Sequence, residues 1–244
     1  MGYIDIHFHV LPDMDDGAEN METALEMLRI AQAEGITDII VTPHYTSGKF
    51  RADSQKMTKQ LELLSKMASE AGIEINLYPG TEVYYRGGLE AKFEAGELST
   101  MNGTEYVLVE FSPAEDFMTI RSAADDLFSM GLHPILAHVE RYQSLYKNLQ
   151  YLRELRNMGC EVQVNAGSII GKDGYRVKRR VRRLLKERLV DYIGTDAHDI
   201  TSRKPQIRKC ADTLYKKYDK SYADAVLFQN ARKRLQIVCK HSNG

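Results

Sequence analysis

The chain has no tryptophan, and its three cysteines (Cys160, Cys210 and Cys239) are scattered and odd in number. That argues against a disulfide framework and for a reducing compartment, so a cytoplasmic setting is expected. Only six prolines are spread over 244 residues, and no Pro-, Gly- or Ser-rich stretch marks a linker. No apolar run approaches the roughly 18–20 residues that a membrane-crossing helix needs. The first residues lack the basic and then apolar pattern of a signal peptide, so none is expected. Neither sign of charge is in excess, because 33 basic against 34 acidic side chains leave a net charge of −1. So weak a field favours neither nucleic acid nor an acidic lipid surface as partner. The glycine-rich loops that cradle nucleotide phosphates are missing, as is the Gly-x-Ser-x-Gly elbow of serine hydrolases. A cysteine-based phosphatase needs an arginine six positions after its thiolate, yet Ala166 and Lys216 stand there for Cys160 and Cys210. Any phosphoryl chemistry must run through metal.

What is present is an alternation of two periodicities. Short apolar, β-branched runs predict seven strands: one holding Tyr3, Ile4 and Ile6, then 38–42, 74–78, 105–111, 134–137, 160–164 and 190–194. Amphipathic spacing predicts helices over 20–34, 53–71, 117–130, 149–158, 175–188, 206–218 and 222–238, with a short broken piece at 89–93. Gly35, Gly72, Gly131 and Gly159 stand where four of these helices should stop. Strands alternating with helices imply right-handed crossovers and a parallel sheet. Seven such units without a linker predict one α/β domain over 1–244, built as a closed or nearly closed barrel. An open doubly wound sheet is the alternative.

The chemistry collects at the strand exits. His7 and His9 are two apart in an extended run, so both side chains point the same way. Asp13, Asp15, Asp16 and a Gly17 turn follow directly. His44, Glu82, Glu110, His138 and the Asp196/His198 pair lie at or near the C-terminal ends of later strands, where parallel β/α barrels gather their active sites. Five of the seven histidines fall in this set, with His133 and His241 outside it. Each residue alone has an ordinary explanation: Glu110 as an edge-strand charge, Asp196 as a helix cap, His138 as a hydrogen-bonded core histidine. Together they do not. With Asp16 the set numbers nine, more than one ion takes, so at least two metals are implied, and three fit if a carboxylate bridges. Nitrogen and oxygen ligands without thiolate suit Mn, Fe or Zn, and clustered ions of that kind point to hydrolysis.

Arg141 and Arg203 follow His138 and His198 closely, on the ligand side, where guanidinium forks match phosphate oxygens. The basic run of Lys178, Arg179, Arg180, Arg182, Arg183 and Lys186 falls opposite the apolar stripe of its helix. A solvated surface is the plain reading of that run, and docking of an acidic partner is the second.

The segments Asp5-Ile6-His7-Phe8-His9, Asp15-Asp16-Gly17, Thr42-Pro43-His44, Pro79-Gly80-Thr81-Glu82-Val83, Leu108-Val109-Glu110-Phe111, His138-Val139-Glu140-Arg141 and Asp196-Ala197-His198 span nearly the whole chain. In that order they resemble the PHP (polymerase and histidinol phosphatase) family. More narrowly, they resemble its manganese-dependent bacterial protein-tyrosine phosphatases of capsule and exopolysaccharide synthesis. The resemblance implies a distorted seven-stranded β/α barrel with three Mn2+ ions. It implies one ion on His7, His9, Glu82 and Asp196, a second on Glu82, Glu110 and His138, and a third on Asp16, His44 and His198. A metal-bridging hydroxide would attack phosphorus, with Arg141 and Arg203 holding the phosphate. The implied partner is a phosphotyrosine protein, namely the tail of a bacterial tyrosine kinase. A homo-oligomer is left open. Val139, Thr81 and Asp199 depart from the family pattern, where proline, glutamine and asparagine are usual; none is an implied ligand. A histidinol phosphatase on the same scaffold, or a metal-binding regulatory protein without turnover, are the alternatives.

Overall fold

The chain is seen in a computed structural model that describes residues 2–47, 49–50 and 53–238. Cys239 and His241 lie outside them. Nine strands occur among the described residues: β1 (Tyr3–Phe8), β2 (Ile36–Val41), β3 (His44–Tyr45), β4 (Asn76–Pro79), β5 (Glu82–Tyr84), β6 (Tyr106–Glu110), β7 (His133–Leu136), β8 (Glu161–Asn165) and β9 (Tyr192–Gly194). Every pairing among them is parallel. They form a three-stranded sheet, β1-β2-β4, and a six-stranded sheet, β3-β5-β6-β7-β8-β9. The count of seven therefore needs correcting. After the second and third expected strands, 38–42 and 74–78, the chain breaks at 42–43 and 80–81 and pairs again as β3 and β5. Both breaks adjoin a proline, Pro43 or Pro79, which has no N–H to give to a ladder.

The two sheets meet where the chemistry lies. Just past β9, the Asp196 N–H donates to the His7 carbonyl and the His9 N–H to the Ala197 carbonyl, both at 2.9 Å. Phe8 and Ala197 thus form a parallel bridge that ties the first strand to the segment after the last. The result is a curled parallel sheet whose strand exits crowd together.

Beneath those exits Ile4, Ile6, Ile39, Ile40, Val107, Val109, Val162 and Val164 are all buried. Each such side chain contributes about 1.5–3 kcal/mol when taken fully out of water. The core is thereby strong enough to tolerate strand ends of two or three residues. Helices start where Asn20, Asp53 and Asp116 accept a hydrogen bond from the N–H three residues on. The last predicted helix is shorter than 222–238. It runs as Lys220–Asp224, a π-turn at Ala225–Gln229 and Asn230–Arg234. Leu235 and Ile237 are both buried, and a spacing of two cannot serve one helical face. Among the described residues no helix is long and apolar enough to cross a membrane.

Candidate metal centre

Glu82 is the hub. Its carboxylate is fully buried at the start of β5, in register with His44 on β3 and beside Leu108 on β6. Oε2 lies 3.0 Å from His7 Nε2, 3.2 Å from His9 Nε2 and 3.1 Å from His44 Nδ1. Oε1 lies 3.0 Å from His138 Nε2. Glu110, at the end of β6, stands 3.3 Å from His44 Nδ1 and 3.6 Å from His138 Nε2. Asp196 Oδ1 is 3.5 Å from both His7 Nε2 and His198 Nδ1. Asp16 is half exposed, yet it reaches within 3.6 Å of His44 Nε2 and 3.7 Å of His198 Nε2. All nine residues expected from the sequence therefore face one spot. His133 does not, since it begins β7 on the exposed side.

Close approach has local causes. A Cβ on Gly17 would sit 2.3 Å from the His9 carbonyl oxygen, so only glycine lets the Asp15–Asp16 turn fold back over His9. A Cβ on Gly194 would sit 2.7 Å from that of His7. His138 and Asp196 adopt left-handed backbone, at φ 34 and 54, which costs free energy in residues with a Cβ. In both, the unusual conformation turns the side chain at the strand exit.

Four groups of three side chains bring one ligand atom each within 4.8 Å of one another: His9/His44/His198, His7/His9/Glu82, His7/His138/Asp196 and His44/Glu82/Glu110. The buried atoms His44 Nδ1, Glu82 Oε2 and His198 Nε2 have no hydrogen-bond partner among the described residues. Unpaired lone pairs of this kind, turned toward each other in a dry site, are stabilised by cations. In their absence protons substitute. Burial alone would pull His9 down, but the Asp15 and Glu82 charges outweigh it and hold its pKa at about 10. Burial and Arg141 oppose protonation of His138, yet Glu110 and Glu82 raise it to about 9. Burial works against ionised Glu82 too, and the charges of His7 and His44 overcome it, keeping the carboxyl ionised. His198 is the opposite case, pushed down to about 2 by burial and the neighbouring His9 charge, so its imidazole is neutral. The donor set, histidine nitrogen and carboxylate oxygen without sulfur, fits divalent Mn, Fe or Zn.

Beside this cluster opens a cleft of ≈330 Å3, lined among others by Arg141, Lys172, Asp196, Arg203 and Lys204. The two arginines donate to Asp196, Arg141 Nη2 to Oδ2 at 2.8 Å and Arg203 Nη2 to Oδ1 at 2.9 Å. Their side chains remain 40% and 42% exposed, so their outer N–H groups are free to meet an anion in the cleft.

Three supporting residues were not singled out as site residues from the sequence. Asp15 accepts from His9 Nδ1 at 2.7 Å, from the His44 N–H at 2.8 Å and from the Gly17 N–H at 2.9 Å. Gln163 Oε1 accepts from the His138 N–H at 2.6 Å and sits 3.3 Å from His7 Nδ1. Asn165 Nδ2 donates to Asp196 Oδ2 at 2.9 Å. Such partners fix the orientation of ligand side chains. The signal for two of them was present: Gln163 and Asn165 alternate with Val162 and Val164, so β8 turns its polar face toward the histidines.

The chain is 31% identical over 235 residues to the tyrosine-protein phosphatase CpsB of Streptococcus pneumoniae, covering 94% of this chain and 97% of that one. It is also 31% identical over 219 residues to the tyrosine-protein phosphatase YwqE of Bacillus subtilis, covering 88% and 85%. Among solved structures it matches one described under YwqE from Bacillus subtilis and CpsB from Streptococcus pneumoniae, "unique metal-dependent tyrosine phosphatases". That match has a TM-score of 0.89 at 30% identity and covers 96% of this chain and 94% of that chain. Residues 3–236 match the family described as "Capsular polysaccharide synthesis, CpsB/CapC", and the chain belongs to that family.

Proposed function

We propose that this chain is a metal-dependent tyrosine-protein phosphatase acting in capsular or exopolysaccharide synthesis. The observation that supports this reading best is the convergence of five imidazoles and four carboxylates beside an arginine-lined cleft. We assign His7, His9, Asp16, His44, Glu82, Glu110, His138, Asp196 and His198 as the side chains that would hold three Mn2+ ions, with Glu82 as the carboxylate that most of the imidazoles meet. Bound cations of this type supply an acidified water and offset the charge that builds on phosphate oxygens.

The remaining work falls to the chain. Arg141 and Arg203 grip the non-bridging oxygens and orient the ester, while Asp196 holds their guanidinium planes. The Phe50 ring stacks 5.8 Å from His44 and offers an apolar wall beside the cluster for an aromatic leaving group. A leaving phenolate, with a pKa near 10, needs little protonation, so no dedicated general acid is required. The protein substrate is assigned as the phosphorylated tail of a bacterial tyrosine kinase, met in the cytoplasm. The two sheets are read as one distorted β/α barrel of the PHP type, and 1–244 as one domain.

The test compares turnover of a phosphotyrosyl peptide and of histidinol phosphate by the Mn-loaded chain. A clear preference for the peptide is expected. A preference for histidinol phosphate would replace this reading with a small-molecule phosphatase, and no turnover of either with a non-catalytic scaffold.

A further inference from the structure

The helix Tyr175–Lys186 carries seven cations (Arg176, Lys178, Arg179, Arg180, Arg182, Arg183 and Lys186) and no acid, in a chain whose net charge is −1. Arg176, Arg179, Arg180 and Arg183 are spaced so that all four share one face. That arrangement opposes helix formation twice. Like charges three and four apart repel, and Arg176 sits in the first turn, where the helix dipole disfavours a cation. Gly174, at the N-cap, adds no side-chain bond to offset it. Local conflict of this kind is most often found where a site is served.

The face is also concave. With Tyr146 and Leu149 as its floor, it lines a groove of ≈410 Å3. Arg180 is fixed there, its guanidinium carbon 3.4 Å from the centre of the Tyr146 ring. Arg180 Nη1 also donates to the Glu140 carbonyl at 3.4 Å. Arg176 and Arg179 face no carboxylate within ion-pair distance among the described residues, and Arg183 has only Glu187 at 3.5 Å. The groove therefore abuts the turn Val139–Arg141, whose last residue lines the phosphate cleft.

We propose that this groove is a second binding site for a carboxylate-rich segment flanking the phosphotyrosine of the protein substrate. The inference rests on the phosphatase reading above. Three exposed guanidinium forks at helical spacing match successive carboxylates of an extended peptide, and the recessed Tyr146 and Leu149 take its apolar stems. An anionic membrane would instead call for a flat face with protruding apolar groups, and nucleic acid for a basic field wider than one helix.

The test uses the Mn-loaded chain and the triple variant Arg176→Gln/Arg179→Gln/Arg183→Gln, leaving the packed Arg180 in place. Two phosphotyrosyl peptides differ only in glutamate or glutamine flanks, and p-nitrophenyl phosphate reports the integrity of the centre. The variant should lose on the order of tenfold in kcat/KM for the glutamate peptide, through KM, with the glutamine peptide and the small ester unchanged. High salt should abolish the preference of the wild type. Equal turnover of both peptides by the wild type would overturn the inference and leave the phosphatase reading intact. Fluorescence anisotropy with an unphosphorylated glutamate-rich peptide judges the groove apart from turnover, so absence of all hydrolysis would count against the phosphatase reading alone. Failure of that peptide to bind, or capture of anionic phospholipid vesicles in its place, would also overturn the inference.

Discussion

Asp191 and Asp196 flank the same three-residue strand, β9, and both are buried, yet they live in opposite circumstances. Asp191 lies before the strand. Arg156 meets it with two N–H groups, Nη1 to Oδ2 at 2.6 Å and Nη2 to Oδ1 at 3.1 Å, and the Val162 N–H donates to Oδ2 at 3.0 Å. Asp196 lies after the strand, on left-handed backbone, among imidazoles with unpaired nitrogens and two half-exposed arginines. At the entry end the charge of Asp191 is answered by the protein itself. At the exit end the protein leaves the answer to something it must bind. The same sheet thus carries a closed ion pair for stability and an open cluster for chemistry.

That contrast breaks first, and most strongly, at Asp196. Asp196→Asn should cost about three orders of magnitude in phosphatase turnover, equivalent to roughly 4 kcal/mol, an effect on activity larger than that on the melting temperature of the metal-free protein. Asp191→Asn should do the reverse. Removing one partner of a buried pair costs about 3 kcal/mol, so a thermal melt should fall by roughly 6–12 °C with turnover per folded molecule kept. Both variants losing activity and stability alike would erase the distinction between the two ends.

Asp15 sharpens the comparison, because it supports the cluster without belonging to it. Asp15→Asn weakens the acceptor for His9 Nδ1 and should reduce metal affinity about 10–100-fold, read by competition with a chelator. Smaller still is a pH effect. A metal ligand must be neutral imidazole, and His9 in the ion-free chain is held at about 10. At neutral pH its proton must leave when metal enters, so uptake should release protons and tighten as pH rises toward 10. His198, already neutral, contributes none. Calorimetry in buffers of different ionisation heat reads this directly, and proton uptake on metal binding would show the sign to be wrong.

Much of the exit end was legible in the sequence, for a physical reason. Side chains at a strand exit need only residue type and a place after an apolar run, so His7, His9, Glu110, His138 and Asp196 could be placed from one dimension. The short strands that follow the second and third expected ones were not legible. Thr42-Pro43 and Gly80-Thr81 read as strand ends, but the chain resumes pairing at His44 and Glu82, and that register depends on partners far away in sequence. Gln163 was legible only as part of a polar face on its strand, because its partners His7 and His138 are far away in sequence. The π-turn at Ala225–Gln229 left no mark on the helical periodicity.

Elemental analysis of the Mn-equilibrated wild type and of Glu82→Ala, with phosphotyrosyl turnover before and after chelation, tests the central claim most directly. Since Glu82 touches four imidazoles, wild type should hold about three ions and lose turnover on chelation, and the variant should lose both ions and turnover. A Glu82→Ala chain that keeps its ions, or a chelated wild type that works at full rate, would contradict it.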